Sequence, residues 1–409
     1  MPNHNDTSPD FINLATHFIR DINLGGLAEA FEKKCAEEVK NMKHVNIIIA
    51  GRSGVGKSSL INASFRENMA EVGMGDPVTS CIRLIEKAGM PVRIYDTVGL
   101  ELDQDTQKKS IAEIERLIQT HQNKDVPEMI HLIWYCVSVE SERFESIEED
   151  FLSNIASNDV PTVLVLTKAF DKDLTDKFKE TLENKNLPVK KIFPLLAHDK
   201  LNYKAYGVDE LVEYSATLLP TEAEAALISA SRAGKLKRDK SQKIVMSTVV
   251  GNFAVGFVPI PFADAPLLAT AQIAMLSSIA ATYGFKLEKS ELVGFTSALA
   301  GVGGAALIGK SVASNLLKLI PGAGTAIGGV ISGTTAAVLT YALGNAFIAM
   351  MDMLASGKMS KEQIGSKEMI SIIKKAFKQN IKAGKEKFLK GIPGNKESNL
   401  SVELTNDVK

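Results

Sequence analysis

A short glycine-rich segment near residue 50 carries the residue types best suited to holding a chain of phosphates. Its sequence is Gly51-Arg52-Ser53-Gly54-Val55-Gly56-Lys57-Ser58. The segment follows an apolar, strand-like run over 45–50 and precedes a helical pattern. Glycines let backbone N–H groups approach an anion closely, a lysine ammonium balances phosphate charge, and a serine hydroxyl can bind Mg²⁺. The order strand, loop, helix therefore predicts a nucleoside triphosphate site, with the positive end of the helix facing the phosphates.

Within this segment we assign separate roles to the side chains and the backbone. Lys57 is predicted to lie between the β- and γ-phosphates as a catalytic residue, and Ser58 is predicted to bind Mg²⁺. The predicted nucleotide-binding residues of the loop are Gly51, Ser53, Gly54, Val55, Gly56, Lys57, Ser58 and Ser59.

Two other segments could complete the phosphate side of the site. Asp96 and Gly99, in Asp96-Thr97-Val98-Gly99, close an apolar strand pattern, so they should emerge at the same sheet edge as Lys57. The Asp96 carboxylate would hold Mg²⁺, and the Gly99 N–H would contact the γ-phosphate. Thr79 precedes a strand pattern, in a loop that could bring its hydroxyl to the metal. The predicted metal ligands are therefore Ser58, Thr79 and Asp96, and Thr79 and Gly99 join Lys57 as catalytic residues.

Short apolar runs that alternate with helical patterns would supply the sheet that positions these residues. This alternation, from residue 44 to 219, predicts an α/β domain with a mostly parallel six-stranded sheet and helices on both faces. The predicted strands are 45–50, 80–86, 91–96, 130–138, 162–167 and 191–196, and the predicted helices are 57–68, 104–121, 141–157, 172–185 and 208–219.

Composition narrows the class of protein. The chain has 409 residues, 45% of them hydrophobic, which excludes a mainly disordered protein and allows two or more domains. A formal net charge of −1 gives no reason to expect a nucleic-acid partner. Cys35, Cys81 and Cys136 are widely spaced, which is typical of buried thiols in a reducing cytoplasm, and the N-terminus lacks the pattern of a secretory signal.

The three phosphate-side motifs together resemble the Era-like branch of the translation-factor-related P-loop GTPases, with some likeness to immunity-related GTPases. The resemblance covers residues 44 to 219 and rests on Gly51–Asn62, Pro77-Val78-Thr79 and Asp96–Glu101. It implies a GTP-binding switch with slow hydrolysis. The implied cofactor is Mg²⁺, with GTP as the substrate and GDP as the product.

The resemblance also implies a base-recognition motif, and here the chain departs from the family pattern. The family has Asn or Thr, Lys, any residue, then an Asp that accepts two guanine N–H groups. The chain has Thr167-Lys168-Ala169-Phe170-Asp171, so Phe170 replaces the aspartate and Asp171 comes one residue late. Thr167, Lys168, Asp171 and, in a later loop, Ala197 are the predicted base-side residues. Guanine specificity stays open at this point.

A second departure concerns hydrolysis. Leu100 follows Gly99 where Ras-type enzymes carry a glutamine that orients the attacking water. The Era-like branch shares an apolar residue there, which implies that hydrolysis needs another group from a partner or a second copy. The position at which some members carry a potassium-binding asparagine is Gly54, so potassium activation is not expected.

The C-terminal half is predicted to be an all-α hydrophobic domain. Long uncharged runs cover 244–263, 265–285, 292–309 and 319–351, with prolines at 259, 261, 266 and 321. The segments around 258–268 and 319–329 resemble the YcjF-like domain of unknown function, which occurs behind Era-like GTPases and has relatives regarded as membrane proteins. The runs approach the roughly 20 residues of a membrane span. A membrane role and a buried soluble bundle both fit, so location in the cytoplasm or at the cytoplasmic face of a membrane stays open.

The sequence divides into six predicted segments. They are N-terminal amphipathic helices over 1–43, a GTPase domain over 44–220, a basic helical linker over 221–243, the hydrophobic helical domain over 244–356, a lysine-rich amphipathic helix over 357–390 and a disordered tail over 391–409. The lysine-rich helix could lie on an anionic leaflet or pack on its own protein.

The function predicted from these residues is a GTP-binding protein with slow Mg²⁺-dependent hydrolysis that acts as a switch on the helical domain. One alternative is a membrane-active or scaffolding protein in which the nucleotide is structural. The other is an ATP-dependent enzyme, which the altered base motif leaves open. Membrane lipids, a second copy of the chain and an activating protein are the further partners considered.

Overall fold

The chain divides into two compact units, each described here by itself. The computed structural model describes residues 24–69, 76–79, 81–97, 104–122, 128–156, 159–200, 202–255, 264–300 and 333–389. The sheet unit runs from Asn41 to Leu236, and the helical unit combines the described residues up to Lys40 with those from Lys237 onward. Gly99 and Leu100, much of the N-terminal segment, the run over 301–332 and the C-terminal tail lie outside the described residues.

A mostly parallel sheet forms the centre of the sheet unit. Its strands are β1 (Val45–Gly51), β2 (Asp76–Pro77), β3 (Ile82–Ile85), β4 (Val92–Thr97), β5 (Leu132–Ser138), β6 (Thr162–Thr167) and β7 (Lys191–Pro194). Their order is β2-β3-β4-β1-β5-β6-β7, with antiparallel pairing only among β2, β3 and β4. The six strands predicted from the sequence are confirmed, and the two-residue β2 extends them at one edge.

Helices cover both faces of this sheet, as predicted. They are α2 (Lys57–Ser64), α3 (Gln104–Gln122), α4 (Ser146–Ala156), α5 (Lys172–Glu183), α6 (Val208–Thr217) and α7 (Thr221–Ala230). Every residue of β1, β5 and β6 is buried, which is typical of central parallel strands covered on both sides. Along β1, Ile47 and Ile49 face the core formed with α2, α6 and α7, whereas Ile48 and Ala50 face the core formed with α3, α4 and α5.

The helical unit consists of long helices around a separate apolar core. They are α1 (Leu24–Asn41), α8 (Gly234–Val255), which begins at the end of the sheet unit, α9 (Asp264–Tyr283), α10 (Lys289–Ala300), α11 (Gly333–Ala355) and α12 (Lys367–Leu389). Phe295 and Phe347 meet edge to face in this core, with ring centroids 5.0 Å apart. An all-α C-terminal region is therefore confirmed. Within the described ranges, the structure contains no helix long and apolar enough to cross a bilayer.

The lysine-rich helix α12 uses its apolar face inside the protein. Met369 and Ile373 are fully buried, and Phe388 meets the ring of Tyr341 from α11 edge to face at 5.6 Å. This face is therefore occupied by α10 and α11. Of the two arrangements considered from the sequence, packing on its own protein is the one that the structure has.

The domain boundaries predicted from the sequence remain predictions. Residues 221–236, assigned from the sequence to a linker, lie in the compact sheet unit, where Leu227 and Ala230 are fully buried against the sheet. The N-terminal helix α1 belongs to the helical unit, because Phe31 and Cys35 are buried in its core.

Candidate nucleotide site

The glycine-rich segment forms a tight loop between β1 and α2. Gly51 has a φ of +137°, and a Cβ built at this residue would lie 2.3 Å from the carbonyl oxygen of Cys136 on β5. Gly56, immediately before α2, has a φ of +105°. Both conformations are strained for residues that carry a side chain. The loop glycines are therefore required by backbone geometry, which leaves the loop amides arranged around the start of α2.

Lys57 occupies the inside of this loop. Its side chain is buried, and its Nζ donates to the carbonyl oxygens of Gly51 at 2.9 Å and Arg52 at 3.1 Å. Ser53, Gly54 and Ser58 of the same turn are exposed. An ammonium group held among backbone groups at a helix N-terminus is suited to binding an anion.

Asp96 lies near the end of β4, the strand that pairs with β1 through Ile49. Burial raises the pKa of its carboxyl, and the positive charges of Lys57 and Arg83 offset part of that rise. Its Oδ1 is buried and has no hydrogen-bond partner among the described residues. A buried carboxylate oxygen without a described partner, within the electrostatic influence of Lys57, fits a site for a hard divalent cation such as Mg²⁺.

Comparison with protein families identifies both parts of the chain. Residues 46–168 match the family model described as 50S ribosome-binding GTPase. Residues 223–382 match the model described as Domain of unknown function (DUF697). The chain thus carries a P-loop GTPase domain and a DUF697 domain.

Two known relatives share part of this arrangement. The "tRNA modification GTPase MnmE" of Treponema denticola is 26% identical over 256 residues, which is 61% of this chain and 50% of that protein. "Magnetosome membrane protein 22" of Magnetospirillum gryphiswaldense is 31% identical over 110 residues, which is 26% of this chain and 55% of that protein. The chain thus spans about half the length of either relative.

Solved structures are similar to the GTPase domain at low identity. The probable GTP-binding protein engB is 20% identical, with a TM-score of 0.33, and the match covers 42% of this chain and 98% of engB. Aquifex aeolicus Era Y63A bound to GDP.AlF4- is 17% identical, with a TM-score of 0.32, and the match covers 50% of this chain and 68% of that chain.

The hydroxyl of Thr79, in the GTPase domain, has a hydrogen-bond partner within the same chain. This hydroxyl forms a short hydrogen bond with the carboxylate of Glu113 on α3, and the backbone N–H of Ile82 donates to the Thr79 oxygen at 3.1 Å. The same Glu113 carboxylate accepts from the N–H of Cys81 at 3.2 Å. The structure therefore places Thr79 in a turn that is closed by a residue of α3.

Thr167 connects the base-side strand to the phosphate loop. Its buried hydroxyl lies within hydrogen-bond distance of the carbonyl oxygens of Val55 and Val137. Lys168, which follows it, has a φ of +55° and pairs with Glu140 at 3.0 Å. The end of β6 and the phosphate loop are thus brought together.

Asp171 has a structural partner at the start of α5. It is the N-cap of that helix, and its Oδ1 accepts from the backbone N–H of Leu174 at 3.0 Å. Phe170, just before it, lies against Tyr203 with ring centroids 5.8 Å apart, and the Lys200 ammonium lies 4.3 Å from the Phe170 ring. Ala197 lies in the neighbouring loop and is partly buried. An aromatic and cationic cluster therefore stands where the family pattern has a carboxylate.

Sequence reasoning missed a buried cluster that fixes Arg52 of the phosphate loop. Arg52 pairs with Glu145 at 2.9 Å and with Glu148 of α4 at 3.3 Å. Glu148 is nearly fully buried and also accepts from the hydroxyl of Tyr135 at 3.1 Å. Burial raises the pKa of Glu148, whereas the hydrogen bond from Arg52 lowers the pKa of Glu145.

A sequence signal for this cluster exists in retrospect. Glu145 and Glu148 are three residues apart at the beginning of a helix, and the Glu148 carboxylate accepts from the Glu145 N–H at 2.9 Å, as in a helix cap. The same carboxylate also contacts Arg52, which lies 96 residues earlier in the chain. This contact depends on tertiary packing and could not be read from the local sequence.

Proposed function

We propose that this chain binds GTP together with Mg²⁺, hydrolyses it slowly and acts as a nucleotide switch on the helical unit. The observation that carries the proposal is the buried Lys57 ammonium inside the glycine-rich loop, whose charge acts on Asp96, a carboxylate with a buried oxygen that has no hydrogen-bond partner among the described residues. The GTPase family match over 46–168 supports GTP as the nucleotide.

We also propose the domain boundaries that were predicted from the sequence, with the GTPase domain at 44–220. We further propose that the GTPase domain is Era-like and that the helical domain is YcjF-like.

The residues would divide the work as follows. The loop amides and Lys57 hold the phosphates, Ser58, Thr79 and Asp96 supply oxygens for the cation, and the Gly99 N–H contacts the γ-phosphate. When bound, Mg²⁺ neutralises charge that develops on the phosphates. Slow turnover follows from Leu100, because its side chain cannot orient an attacking water.

The switch would depend on a change of partner at Thr79. In the structure its hydroxyl is bonded to Glu113, and the same hydroxyl is needed by the cation in the triphosphate state. Because one hydroxyl cannot serve both partners fully, binding of Mg²⁺–GTP would release Thr79 from α3. Loops that exchange partners in this way can pass the nucleotide state to other parts of a protein.

Binding of a labelled GTP analogue to the Lys57→Ala variant tests the proposal. We expect binding to be lost, whereas the matched Lys177→Ala variant, which removes an exposed lysine from α5, should bind normally. Circular dichroism would confirm that both variants are folded. Undiminished binding by Lys57→Ala would contradict the proposal.

Competition in the same binding assay tests whether the chain prefers guanine to adenine, and a hydrolysis assay tests whether the bound nucleotide is turned over. Unlabelled ATP should compete much less well than GTP, and equal competition would favour an ATP-dependent enzyme. Hydrolysis should exceed that of Lys57→Ala and should stop when EDTA removes Mg²⁺. Turnover equal to that of Lys57→Ala, with normal binding by the wild type, would favour a scaffold in which the nucleotide is structural.

A further inference from the structure

Four lysines lie on the outer face of α12, and no ion pair joins any of them to another described residue. Lys375, Lys378 and Lys382 are exposed and Lys374 is half-exposed. We call these four residues the lysine stripe. At the helical rise they extend along about 12 Å of the helix, and the last three lie within an arc of about 60°. In the described part of the chain, none of them forms an ion pair.

Three of the four stripe lysines have no carboxylate three or four residues away on their own helix, and Lys382 alone precedes a glutamate, Glu386, by four residues. On α1, Lys33 and Lys34 each pair with a glutamate four residues later, and on α5 Lys179 pairs with Glu183. On α12, no acidic residue lies between Glu368 and Glu386. The stripe also places Lys374, Lys378 and Lys382 four residues apart, a spacing at which like charges repel and destabilise a helix.

The lysine stripe therefore does not stabilise α12, because its like charges repel. Attraction to an anionic partner would account for the presence of these lysines. The opposite face of α12 is already packed, because Met369, Ile373 and Phe388 are buried in the core of the helical unit. The helix therefore cannot insert an apolar face into lipid without leaving its own protein. What it can present from the lysine stripe is positive charge.

The chemistry of the lysine stripe favours a diffuse anionic surface over a nucleic acid. α12 contains no arginine, which is the residue best suited to bidentate contacts with single phosphates or bases. Its two phenylalanines pack against the core and are not available to stack on bases. Lysine ammonium groups on a helix face are typical of attraction to anionic lipid headgroups.

We propose that the lysine stripe on α12 docks the protein on the surface of an anionic bilayer by electrostatic attraction, without insertion. The proposal does not depend on the nucleotide switch, and it predicts binding with or without nucleotide. It differs from membrane insertion of the uncharged segments in one measurable respect. Electrostatic docking is reversed by salt, whereas burial of apolar surface in a bilayer is not.

Co-sedimentation of the full chain with vesicles tests this proposal. We expect binding to vesicles that contain phosphatidylserine, no binding to pure phosphatidylcholine, and release when salt is raised from about 0.05 M to about 0.5 M. The variant with all four stripe lysines changed to glutamine should bind at least about tenfold more weakly. A matched control removes four exposed lysines of the sheet unit, and it should bind like the wild type. Its substitutions are Lys108→Gln, Lys109→Gln, Lys177→Gln and Lys190→Gln.

Each alternative outcome overturns the proposal in a recognisable way. Equal binding of the stripe variant and the wild type would place the contact elsewhere. Binding that survives high salt, or that extends to phosphatidylcholine, would indicate apolar insertion instead. Binding to single-stranded RNA without binding to anionic vesicles would assign the stripe to a nucleic acid. A helical circular dichroism signal and a urea transition like those of the wild type would show that the loss of lipid binding by the stripe variant is not caused by unfolding of the helical unit.

Discussion

At the scale of single residues, the pair Thr79 and Glu113 has the clearest consequence for function. Thr79 is the residue that the sequence assigns to the cation, and Glu113 is the carboxylate that holds it in the structure. Glu113 also accepts from the N–H of Cys81, so it fixes the turn at two points. Removing this carboxylate should favour the state in which Thr79 is available to Mg²⁺.

We therefore expect Glu113→Ala to raise the affinity for a non-hydrolysable GTP analogue relative to GDP. A hydrogen bond to a charged group contributes about 1.5–3 kcal/mol, so the ratio of the two affinities should rise by about tenfold or more. Isothermal titration calorimetry would measure both affinities. The control is Glu115→Ala on the same helix, which should leave the ratio unchanged. An unchanged ratio in Glu113→Ala would show that the contact does not oppose the triphosphate state.

The residues around the candidate nucleotide site differ in how closely the sequence alone constrains their position. Lys57 and Thr167 could be placed because a glycine-rich turn after a strand and the end of a parallel strand have few possible geometries. Asp171 could serve either a nucleobase or a helix N-terminus, and both uses suit an aspartate. The structure has it as the cap of α5. The local sequence does not decide between these two uses of Asp171. The use is decided by the residue at which α5 begins, and that residue makes Asp171 the N-cap.

At the scale of elements, close helix contacts explain why glycine is needed at some positions of the helical unit and not at others. Gly344 of α11 packs where a Cβ would lie 2.4 Å from a methyl carbon of Val245 on α8 and 3.2 Å from the sulfur of Met275 on α9. Gly251 of α8 is exposed, and a Cβ there would meet nothing within 4 Å.

The two glycines should therefore respond oppositely to the same substitution. Gly344→Ala should lower the free energy of unfolding by about 1–3 kcal/mol, because three packed helices must separate slightly. Gly251→Ala should raise it by about 0.5–1 kcal/mol, because alanine loses less backbone entropy in a helix. Urea titration followed by circular dichroism at the helix band would measure both changes. A loss of stability in Gly251→Ala as large as that in Gly344→Ala would contradict the described packing of α11.

Elements were easier to predict from the sequence than their ends. The six main strands follow from short apolar runs, since parallel strands buried on both faces contain few polar residues. The predicted helix over 141–157 begins later, at Ser146, because Val139–Ser141 forms a separate 3₁₀ turn and Glu142 adopts a left-handed conformation. Such ends depend on local hydrogen bonds that periodicity does not encode.

At the scale of the whole molecule, each unit contains one fully buried cysteine. Cys35 lies in the core of the helical unit and Cys136 in that of the sheet unit. Burial raises the pKa of both thiols, that of Cys136 to about 12. Because burial disfavours the thiolate, both thiols stay protonated at neutral pH, and a reagent that needs the thiolate should react with them only when a unit opens.

Nucleotide should therefore protect one cysteine and not the other. With GTP analogue and Mg²⁺ at a hundredfold excess over the dissociation constant, labelling of Cys136 should slow by about a hundredfold, while Cys35 keeps its rate. Peptide mass spectrometry after timed alkylation would follow each site. Lys57→Ala should abolish the protection of Cys136. Equal protection of both cysteines would show that the two units open together.

The sequence does not reveal that α1 belongs to the helical unit. Its sequence shows an amphipathic helix directly before β1 and does not indicate which core its apolar face joins. Phe31 and Cys35 are buried with residues of the helical unit, and the N–H of Leu287 donates to the Cys35 sulfur at 3.4 Å. A contact between residues 252 positions apart leaves no signal in local periodicity.

This long separation has a consequence for synthesis of the protein. At about 5–20 residues per second, a ribosome needs about 10–50 s to produce the 252 residues between Cys35 and Leu287. During that time α1 has emerged without the surface that covers Phe31, while the whole sheet unit leaves the ribosome and can fold. The nascent chain therefore carries an amphipathic helix with an uncovered apolar face ahead of a folded sheet unit, and during this interval a chaperone could bind that face.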